Sequence, residues 1–179
     1  MNSVVSRDLS GKRVLLLGAE TGFAQALALS LATTGADVAV VAGSADAEAA
    51  FAAQRLSRRL TTLGRRSPAQ AIDGTNEMAV RVMTRQIGKA LGGLDAIVAA
   101  ADSGSLSRSA LDLALRFGAR EMTRRGGYGR FILVGAPADS APEEPPPRVE
   151  FRTITTKGKD AQQVTEETLD GVAEEPDEG

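Results

Sequence analysis

The sequence contains no cysteine, no histidine and no tryptophan, and it has a single tyrosine. Without cysteine there is no disulfide, no thiolate nucleophile and no cysteine-ligated metal. Without histidine the Ser-His-Asp triad, the commonest metal ligand and the usual general base near neutral pH are excluded. Aromatic residues make up only 3% of the 179 residues, so the core has to be built from aliphatic side chains.

Long hydrophobic runs are absent as well. No stretch approaches the roughly 18–20 apolar residues of a membrane span. The N-terminal segment, MNSVVSRDLSGKR, lacks the apolar region of a secretory signal. We therefore expect a cytoplasmic protein that does not enter a membrane, and the length suits one ordinary domain.

The net charge of −2 conceals two parts of opposite charge. Residues 1–136 carry 17 basic and 11 acidic groups, whereas residues 137–179 carry 4 basic and 12 acidic groups and six of the seven prolines. A segment rich in Pro and Glu buries too little apolar surface to offset the entropy of ordering it. The composition predicts a folded domain at 1–136, followed by a Pro-rich linker and an irregular, disordered acidic tail at 137–179.

Two weak patterns in the tail leave an alternative open. Residues 149–153 alternate as in a short strand, and apolar residues recur at helical spacing between 161 and 172. The alternative is that residues 149–155 fold back onto the sheet as an added strand, or that the tail docks on a partner.

Short apolar runs alternate with helix-like stretches through the first part of the chain. The runs are apolar at every position and are flanked by turn residues, which is typical of a parallel sheet covered by helices. Strands are predicted at 13–17, 37–41, 69–72, 96–99 and 131–134, and helices at 22–33, 46–63, 76–91 and 107–124. Right-handed crossovers then give an α/β fold, a Rossmann-like doubly wound parallel sheet of about five strands in the order 3-2-1-4-5. In the third helix we expect Met78, Val82 and Ile87 to face the sheet.

The first predicted strand leads into a glycine turn, LGAETGFAQAL, before the first helix. Backbone N–H groups and the positive end of the helix dipole converge at such a turn, so it can bind a phosphate. Gly18 would permit the tight turn and Gly22 the close approach of a pyrophosphate, with Ala24 as an accepted variant at the third position. The alternative is a turn that keeps glycine for its geometry and binds nothing. The candidate cofactor-binding residues of the turn are Gly18, Glu20, Thr21, Gly22 and Phe23.

These residues lie in DLSGKRVLLLGAETGFAQALALSLATTGADVAVV, which resembles the opening of the short-chain dehydrogenase/reductase (SDR) family. Gly18 and Gly22 match two of the four positions of its Thr-Gly-x-x-x-Gly-x-Gly signature. AIDGTNE resembles the turn after the third strand, and Asp73 falls where the family's Asp meets the adenine ring. GGLDAIVAAAD resembles the fourth strand, with Ala99 at the first position of the family's Asn-Asn-Ala-Gly ending. The resemblance covers roughly residues 8–136 and implies that NAD or NADP is bound.

The second predicted strand does not decide between the two cofactors. An acidic residue at its end would bind the ribose diol of NAD, but this position falls at Gly43 or Ser44, and no Arg stands beside it for a 2′-phosphate. Ser44 is a further candidate cofactor-binding residue. It could instead cap the second helix.

The family's catalytic residues do not appear at the matching positions. The family uses a Ser after the fifth strand and a Tyr-x-x-x-Lys motif on the next helix. Here Gly135 and Ala136 follow the fifth strand, and the single tyrosine, Tyr128, precedes it with no Lys four residues later. About twenty residues are also missing before Ser107 by comparison with typical family spacing. We therefore assign no catalytic residue and no metal site.

The sequence thus predicts an SDR-like NAD(P)-binding domain that is truncated or non-catalytic and acts through partners. Two alternatives stay open: an NAD(P)-dependent oxidoreductase with an atypical or oligomer-completed active site, and a structural subunit. We expect a homo-oligomer or protein partner to contact the tail and the fourth helix, where Leu111, Leu115 and Met122 share a face. Arginine clusters near the ends of the second and fourth helices are interpreted as solvated faces rather than as a nucleic-acid surface.

Overall fold

The computed structural model describes residues 7–102, 106–136 and 140–175. Six parallel strands form one sheet in the order β3-β2-β1-β4-β5-β6. The strands are β1 (Arg13–Leu17), β2 (Asp37–Ala42), β3 (Ala69–Ala71), β4 (Ala96–Ala100), β5 (Gly129–Val134) and β6 (Val149–Ile154). The helices are α1 (Gly22–Thr33), α2 (Ala47–Thr62), α3 (Glu77–Leu91), α4 (Arg108–Met122) and α5 (Ala161–Ala173). The Rossmann-like α/β fold and the order of the first five strands are confirmed.

Successive residues of each strand face two separate cores. On one face, Leu16 and Val40 belong to a buried cluster with side chains of α1, α2 and α5. On the other face, Leu15 and Val41 belong to a cluster with side chains of α3 and α4. Both faces of the sheet are covered, which is why the strands are apolar at every position rather than alternating. No helix within the described ranges is long and apolar enough to cross a membrane.

The inward face of α3 differs from the expected one. Val80, Met83 and Ile87 are buried, whereas Met78 and Val82 are 62% and 44% exposed. Steps of three and four residues keep side chains on one helical face. Val80, Met83 and Ile87 are separated by three and four residues and therefore share one face. From Val82 to Ile87 the step is five residues, so the expected set of Met78, Val82 and Ile87 does not lie on a single face. The prediction for Met78 and Val82 was therefore wrong.

Residues 149–173 do not form the disordered tail that their composition predicts. β6 pairs in parallel with the whole of β5, from Gly129 opposite Val149 to Val134 opposite Ile154. α5 then packs on the sheet with Val164, Leu169 and Val172 buried. Of the two interpretations of this segment, the structure shows the fold-back, with a helix added. Residues 140–148 contain neither a strand nor an α-helix, and residues 137–139 of the predicted linker lie outside the described residues.

Ion pairs explain how an acidic segment can order on this sheet. Arg130 of β5 is only 3% exposed. Its guanidinium donates to the Glu150 carboxylate at 2.8 Å, to the Glu174 carbonyl oxygen at 2.6 Å and to the Gly171 carbonyl oxygen. Arg152 donates to the same Glu150 carboxylate at 3.0 Å and to that of Glu174 at 2.7 Å. Two of the acidic side chains that favoured disorder, Glu150 and Glu174, are thus paired with arginines of the sheet.

The face proposed for partner contacts on α4 is turned inward. Leu115 and Met122 are 7% and 3% exposed and lie in the same buried cluster as Phe131 of β5. Leu111 is only partly buried against that cluster. These residues stabilise the chain itself, because the hydrophobic stripe of a helix that packs on a sheet turns toward it.

Candidate functional site

The carboxyl ends of β1, β2 and β4 meet at one edge of the sheet, beside the point where strand order reverses between β1 and β4. Ligands of open α/β sheets bind in the crevice at such a point. Gly18, directly after β1, has φ +87°, a left-handed conformation that favours glycine. A Cβ there would lie 2.7 Å from the Ala100 carbonyl oxygen, so the close passage of the chain past β4 also requires glycine.

The glycine turn ends in a well-formed helix N-terminus. Thr21 is the N-cap of α1, and its Oγ1 accepts a hydrogen bond from the Ala24 N–H at 3.1 Å. Gly22 is the first residue of the helix, and a Cβ there would meet nothing within 4 Å. N–H groups in the first turn of a helix have no partner within the helix, and the dipole favours an anion beside them. Gly22 therefore leaves open space beside donors that suit a phosphate.

Glu20 extends from this turn to the end of β2. Its carboxylate accepts a hydrogen bond from the Gly43 N–H at 3.2 Å. In folds of this type a carboxylate at the end of the second strand binds the ribose. No acidic residue ends β2 here, but the Glu20 side chain brings a carboxylate to the same place. The sequence contained Glu20, but nothing in its spacing showed that the side chain would reach Gly43.

Ser44 lies at the same edge but does not cap α2. The N-cap is Asp46, whose carboxylate accepts from the Ala49 N–H at 2.8 Å. The Ser44 hydroxyl donates to that carboxylate at 2.6 Å, and this hydrogen bond, followed by the one from Ala49, holds the pKa of Asp46 below its ordinary value. The alternative that Ser44 caps α2 was therefore wrong, because the N-cap is two residues later in the chain.

Asp73 is exposed in the turn that follows β3. Its carboxylate accepts from the Thr75 hydroxyl at 2.6 Å and from the Thr75 N–H at 3.0 Å. These two hydrogen bonds, the hydroxyl's first, lower the pKa of Asp73. The carboxylate is therefore ionised near neutral pH and accessible to solvent at the edge of the sheet.

The other two candidates are less accessible than the turn. Ala99 is fully buried inside β4, and its side chain faces the cluster formed with α3 and α4. Phe23 is half-buried and packs against the opposite cluster. The structure thus brings Gly18, Glu20 and Gly22 together with the end of β2, but it does not expose the Ala99 side chain at this site.

Leu106, which precedes α4, lies between the glycine turn and the end of β2. Its Cδ1 is 3.4 Å from the position that a Cβ on Gly18 would take, and its Cδ2 is 2.7 Å from that position on Gly43. A bound dinucleotide runs from the glycine turn, where its pyrophosphate sits, to the end of β2, where its ribose sits. The turn therefore fits a pyrophosphate, whereas Leu106 occupies the space beside it. Sequence reasoning missed Leu106, although the short span before Ser107 was a signal that α4 starts close to this edge.

The single tyrosine lies far from this edge. Tyr128 directly precedes β5, and because all strands are parallel, it lies at the amino ends of the strands, on the opposite edge from the glycine turn. Its ring faces the Arg148 guanidinium at 6.0 Å. After β5, where the family carries a Ser, the chain has Gly135. Within residues 7–102, 106–136 and 140–175, no three acidic side chains cluster as metal ligands would.

Comparisons with known proteins agree with this fold. The model of the family "short chain dehydrogenase" matches residues 12–115. No curated protein matches the chain at a significant level. A short-chain type dehydrogenase/reductase from Mycobacterium marinum is similar at 28% identity and a TM-score of 0.62, over 76% of this chain and 60% of that one. A dehydrogenase/reductase from Sinorhizobium meliloti 1021 is similar at 26% identity and a TM-score of 0.60, over 78% of this chain and 60% of that one.

A third structure is similar in length as well as in fold. It is a short chain dehydrogenase from Burkholderia cenocepacia J2315, solved in complex with NADP, with 21% identity and a TM-score of 0.69 over 93% of this chain and 92% of that one. By contrast, this chain spans about three fifths of the length of the Mycobacterium and Sinorhizobium proteins. Since the family match covers more than half of its residues, the chain belongs to the short chain dehydrogenase family.

Proposed function

We propose that this chain is an NAD(P)-binding domain that lacks the Ser/Tyr/Lys catalytic set of its family and acts through a partner rather than by turnover. The observation that carries the proposal is the separation of Tyr128 from the glycine turn, at opposite edges of the sheet. A tyrosine at the amino ends of the strands cannot reach a substrate held at their carboxyl ends. The chain would therefore be a pseudoenzyme that keeps the nucleotide-binding part of the fold.

In this proposal the glycine turn holds the pyrophosphate and the neighbouring strand ends hold the rest of the nucleotide. The first N–H groups of α1 would donate to the phosphates, helped by the helix dipole. Thr21 keeps that helix end in place through its cap, and Glu20 would face the ribose. The proposed binding residues are Gly18, Glu20, Thr21, Gly22, Phe23, Ser44, Asp73 and, through its backbone, Ala99.

Two further observations support the proposal. The Burkholderia protein has a chain of similar length and was solved with NADP, so a fold of this size can hold a dinucleotide. A groove of about 550 Å³ between α4 and the stretch from Glu144 to Arg148 offers a surface for a protein partner or a second copy. The cofactor would supply hydride chemistry when bound, and within the described residues the single tyrosine lies at the opposite edge, too far away to move a proton for it.

We expect calorimetry to show modest binding of NADH or NADPH and a turnover assay to show no oxidation of either with a panel of carbonyl compounds. General acid–base catalysis is typically worth about 10²–10⁴-fold, and in the described part of the chain the tyrosine that would supply it lies at the opposite edge of the sheet. The matched control is Tyr128→Phe, which should behave as the wild type in both assays. Robust turnover that disappears in Tyr128→Phe would refute the proposal.

The position of Glu20 predicts a preference for NADH over NADPH. Its carboxylate at the end of β2 would repel a 2′-phosphate and accept a hydrogen bond from a ribose hydroxyl. We expect Glu20→Gln to lower the ratio of NADH to NADPH affinity by about tenfold, since like charges in contact cost at least that much. The control is Glu48→Gln, which removes an exposed carboxylate from the first turn of α2. Equal ratios in wild type and Glu20→Gln would exclude this role.

A further inference from the structure

We infer that Leu106 is a built-in competitor of the nucleotide: its side chain occupies the ribose position between Gly18 and Gly43, and a dinucleotide binds only when Leu106 withdraws. The inference rests on the proposed function, because it concerns the same site. It adds what controls access to that site.

The contacts of Leu106 place it across the path of the ligand. Its two methyl carbons lie 3.4 Å and 2.7 Å from the positions that a Cβ would take on Gly18 and Gly43, the residues directly after β1 and β2. The missing Cβ atoms of these glycines would normally leave room for a ligand to approach the backbone. Here the room on the side facing β4 and α4 is taken by a leucine.

Leu106 is held in this position rather than resting on the surface. It is only 6% exposed and belongs to the same buried cluster as Leu17 and Val41, the side chains just below the site. The next residue, Ser107, caps α4 by accepting from the Ala110 N–H at 3.2 Å. Since Leu106 is joined directly to this cap, we expect its withdrawal to disturb the first turn of α4.

A second contact extends the obstruction toward the end of β3. The Cβ of Ala110 lies 3.2 Å from the Cβ position of Gly74, which follows Asp73. The first turn of α4 therefore reaches the turn after β3, beside Asp73, where the adenine is proposed to lie. Leu106 and Ala110 together close the site along one side, while the face beside Gly22 stays open.

Binding of the nucleotide and the position of α4 are consequently linked. A dinucleotide that displaces Leu106 loosens the start of α4, and a partner that draws α4 away from the site raises the affinity for the dinucleotide by the same factor. Since buried leucine must become exposed for the ligand to enter, the wild-type affinity should be reduced by about 10- to 100-fold relative to an open site.

The test is titration of NADH by calorimetry into the wild type, Leu106→Ala and Leu115→Ala, with thermal unfolding recorded for each. Leu115 is 7% exposed on α4, so its truncation controls for the loss of a buried leucine away from the glycines. We expect Leu106→Ala to bind NADH about 10- to 100-fold more tightly than wild type, and Leu115→Ala to bind as the wild type does. Leu106→Val, a smaller truncation, should bind NADH more tightly than the wild type by less than Leu106→Ala does and covers the case in which Leu106→Ala unfolds, whereas wild-type affinity in a folded Leu106→Val would then contradict the inference.

Adding Gly22→Val to Leu106→Ala separates the two proposals, because a side chain at Gly22 would obstruct the phosphates while its Cβ has no other atom within 4 Å. Tighter binding by Leu106→Ala that disappears in the double variant supports both. If the wild type binds NADH measurably and Leu106→Ala binds it no more tightly, Leu106 does not compete with the nucleotide, while the NAD(P)-binding function is still supported. If neither the wild type nor Leu106→Ala binds NADH, both the inference about Leu106 and the proposed function are contradicted.

Discussion

A chain shortened to residues 1–136 is expected to lose cooperative unfolding and to associate. The shortening removes β6 and α5, and with them the buried side chains of Ile154, Val164, Leu169 and Val172. Burial of each such side chain is worth about 1.5–3 kcal/mol, so the four contribute about 6–12 kcal/mol. This equals the whole stability of an ordinary domain, which is about 5–15 kcal/mol. The shortened chain would also expose the edge of β5, a template for pairing with other chains.

Circular dichroism against temperature and light scattering at matched concentration test this expectation. The matched control is a chain that ends at residue 175, which keeps every described residue of β6 and α5 and should melt as the intact chain does. If residues 1–136 alone melt cooperatively within a few degrees of the intact chain and stay monomeric where it is monomeric, β6 and α5 do not stabilise the sheet.

Replacement of Arg130 by alanine is expected to lower the free energy of unfolding by at least about 2 kcal/mol, because two carbonyl oxygens lose their donor and an unsatisfied acceptor costs about 1–3 kcal/mol. The guanidinium is 4% exposed and binds the Glu150 carboxylate and two carbonyl oxygens near the end of α5. Its loss leaves those carbonyl groups without their donor and detaches the helix from β5. Urea unfolding measures the change.

Arg152→Ala is the matched control for Arg130→Ala. Arg152 contacts the same Glu150, but its side chain is 31% exposed, so the pair is screened by water. We expect a loss of at most about 1 kcal/mol for this variant. Equal losses for the two variants would contradict the role assigned to the buried guanidinium.

The loss of unfolding free energy in Arg130→Ala should become smaller as the pH falls. Burial opposes ionisation of Glu150, but the hydrogen bonds and charges of Arg130 and Arg152 outweigh it and hold the pKa of Glu150 below its ordinary value of 4.5. A carboxyl group with a lowered pKa stabilises the folded state above its ordinary pKa, and this contribution disappears as the pH falls through the lowered pKa. The difference between wild type and Arg130→Ala should therefore be full at neutral pH and shrink on acidification.

The sheet could be predicted from the sequence because each strand is a short apolar run between turn residues, and the two-sided cover of the sheet requires that pattern. The predicted end of the third helix at residue 91 is also confirmed, and Gly92 after it has the left-handed conformation that ends α3. The tail could not be predicted in the same way. Its composition argued for disorder, and the contacts that order it join Arg130 to Glu150 and to backbone carbonyl groups of α5, which local patterns do not show.

At the candidate site, too, features formed by neighbouring residues were predicted, whereas contacts between distant segments were not. The glycine turn was recognisable because a strand, a turn and a helix follow one another directly in the chain. The contact from Glu20 to Gly43 and the position of Leu106 join segments that are distant in sequence. The prediction for the site therefore identified the residues that suit a phosphate and missed the leucine beside them.

The late position of β6 in the chain has a consequence for biosynthesis. Residues 13–134, which form β1–β5, leave the ribosome before the segment that covers the β5 edge has been made. Until residues 149–173 emerge, the nascent sheet has one open parallel edge and one uncovered patch over β5. Incomplete sheets of this kind are prone to aggregate during synthesis. The nascent sheet is therefore protected from aggregation only after β6 and α5 have been synthesised. Slow translation of the Pro-rich stretch before them would prolong the time during which chaperones are needed.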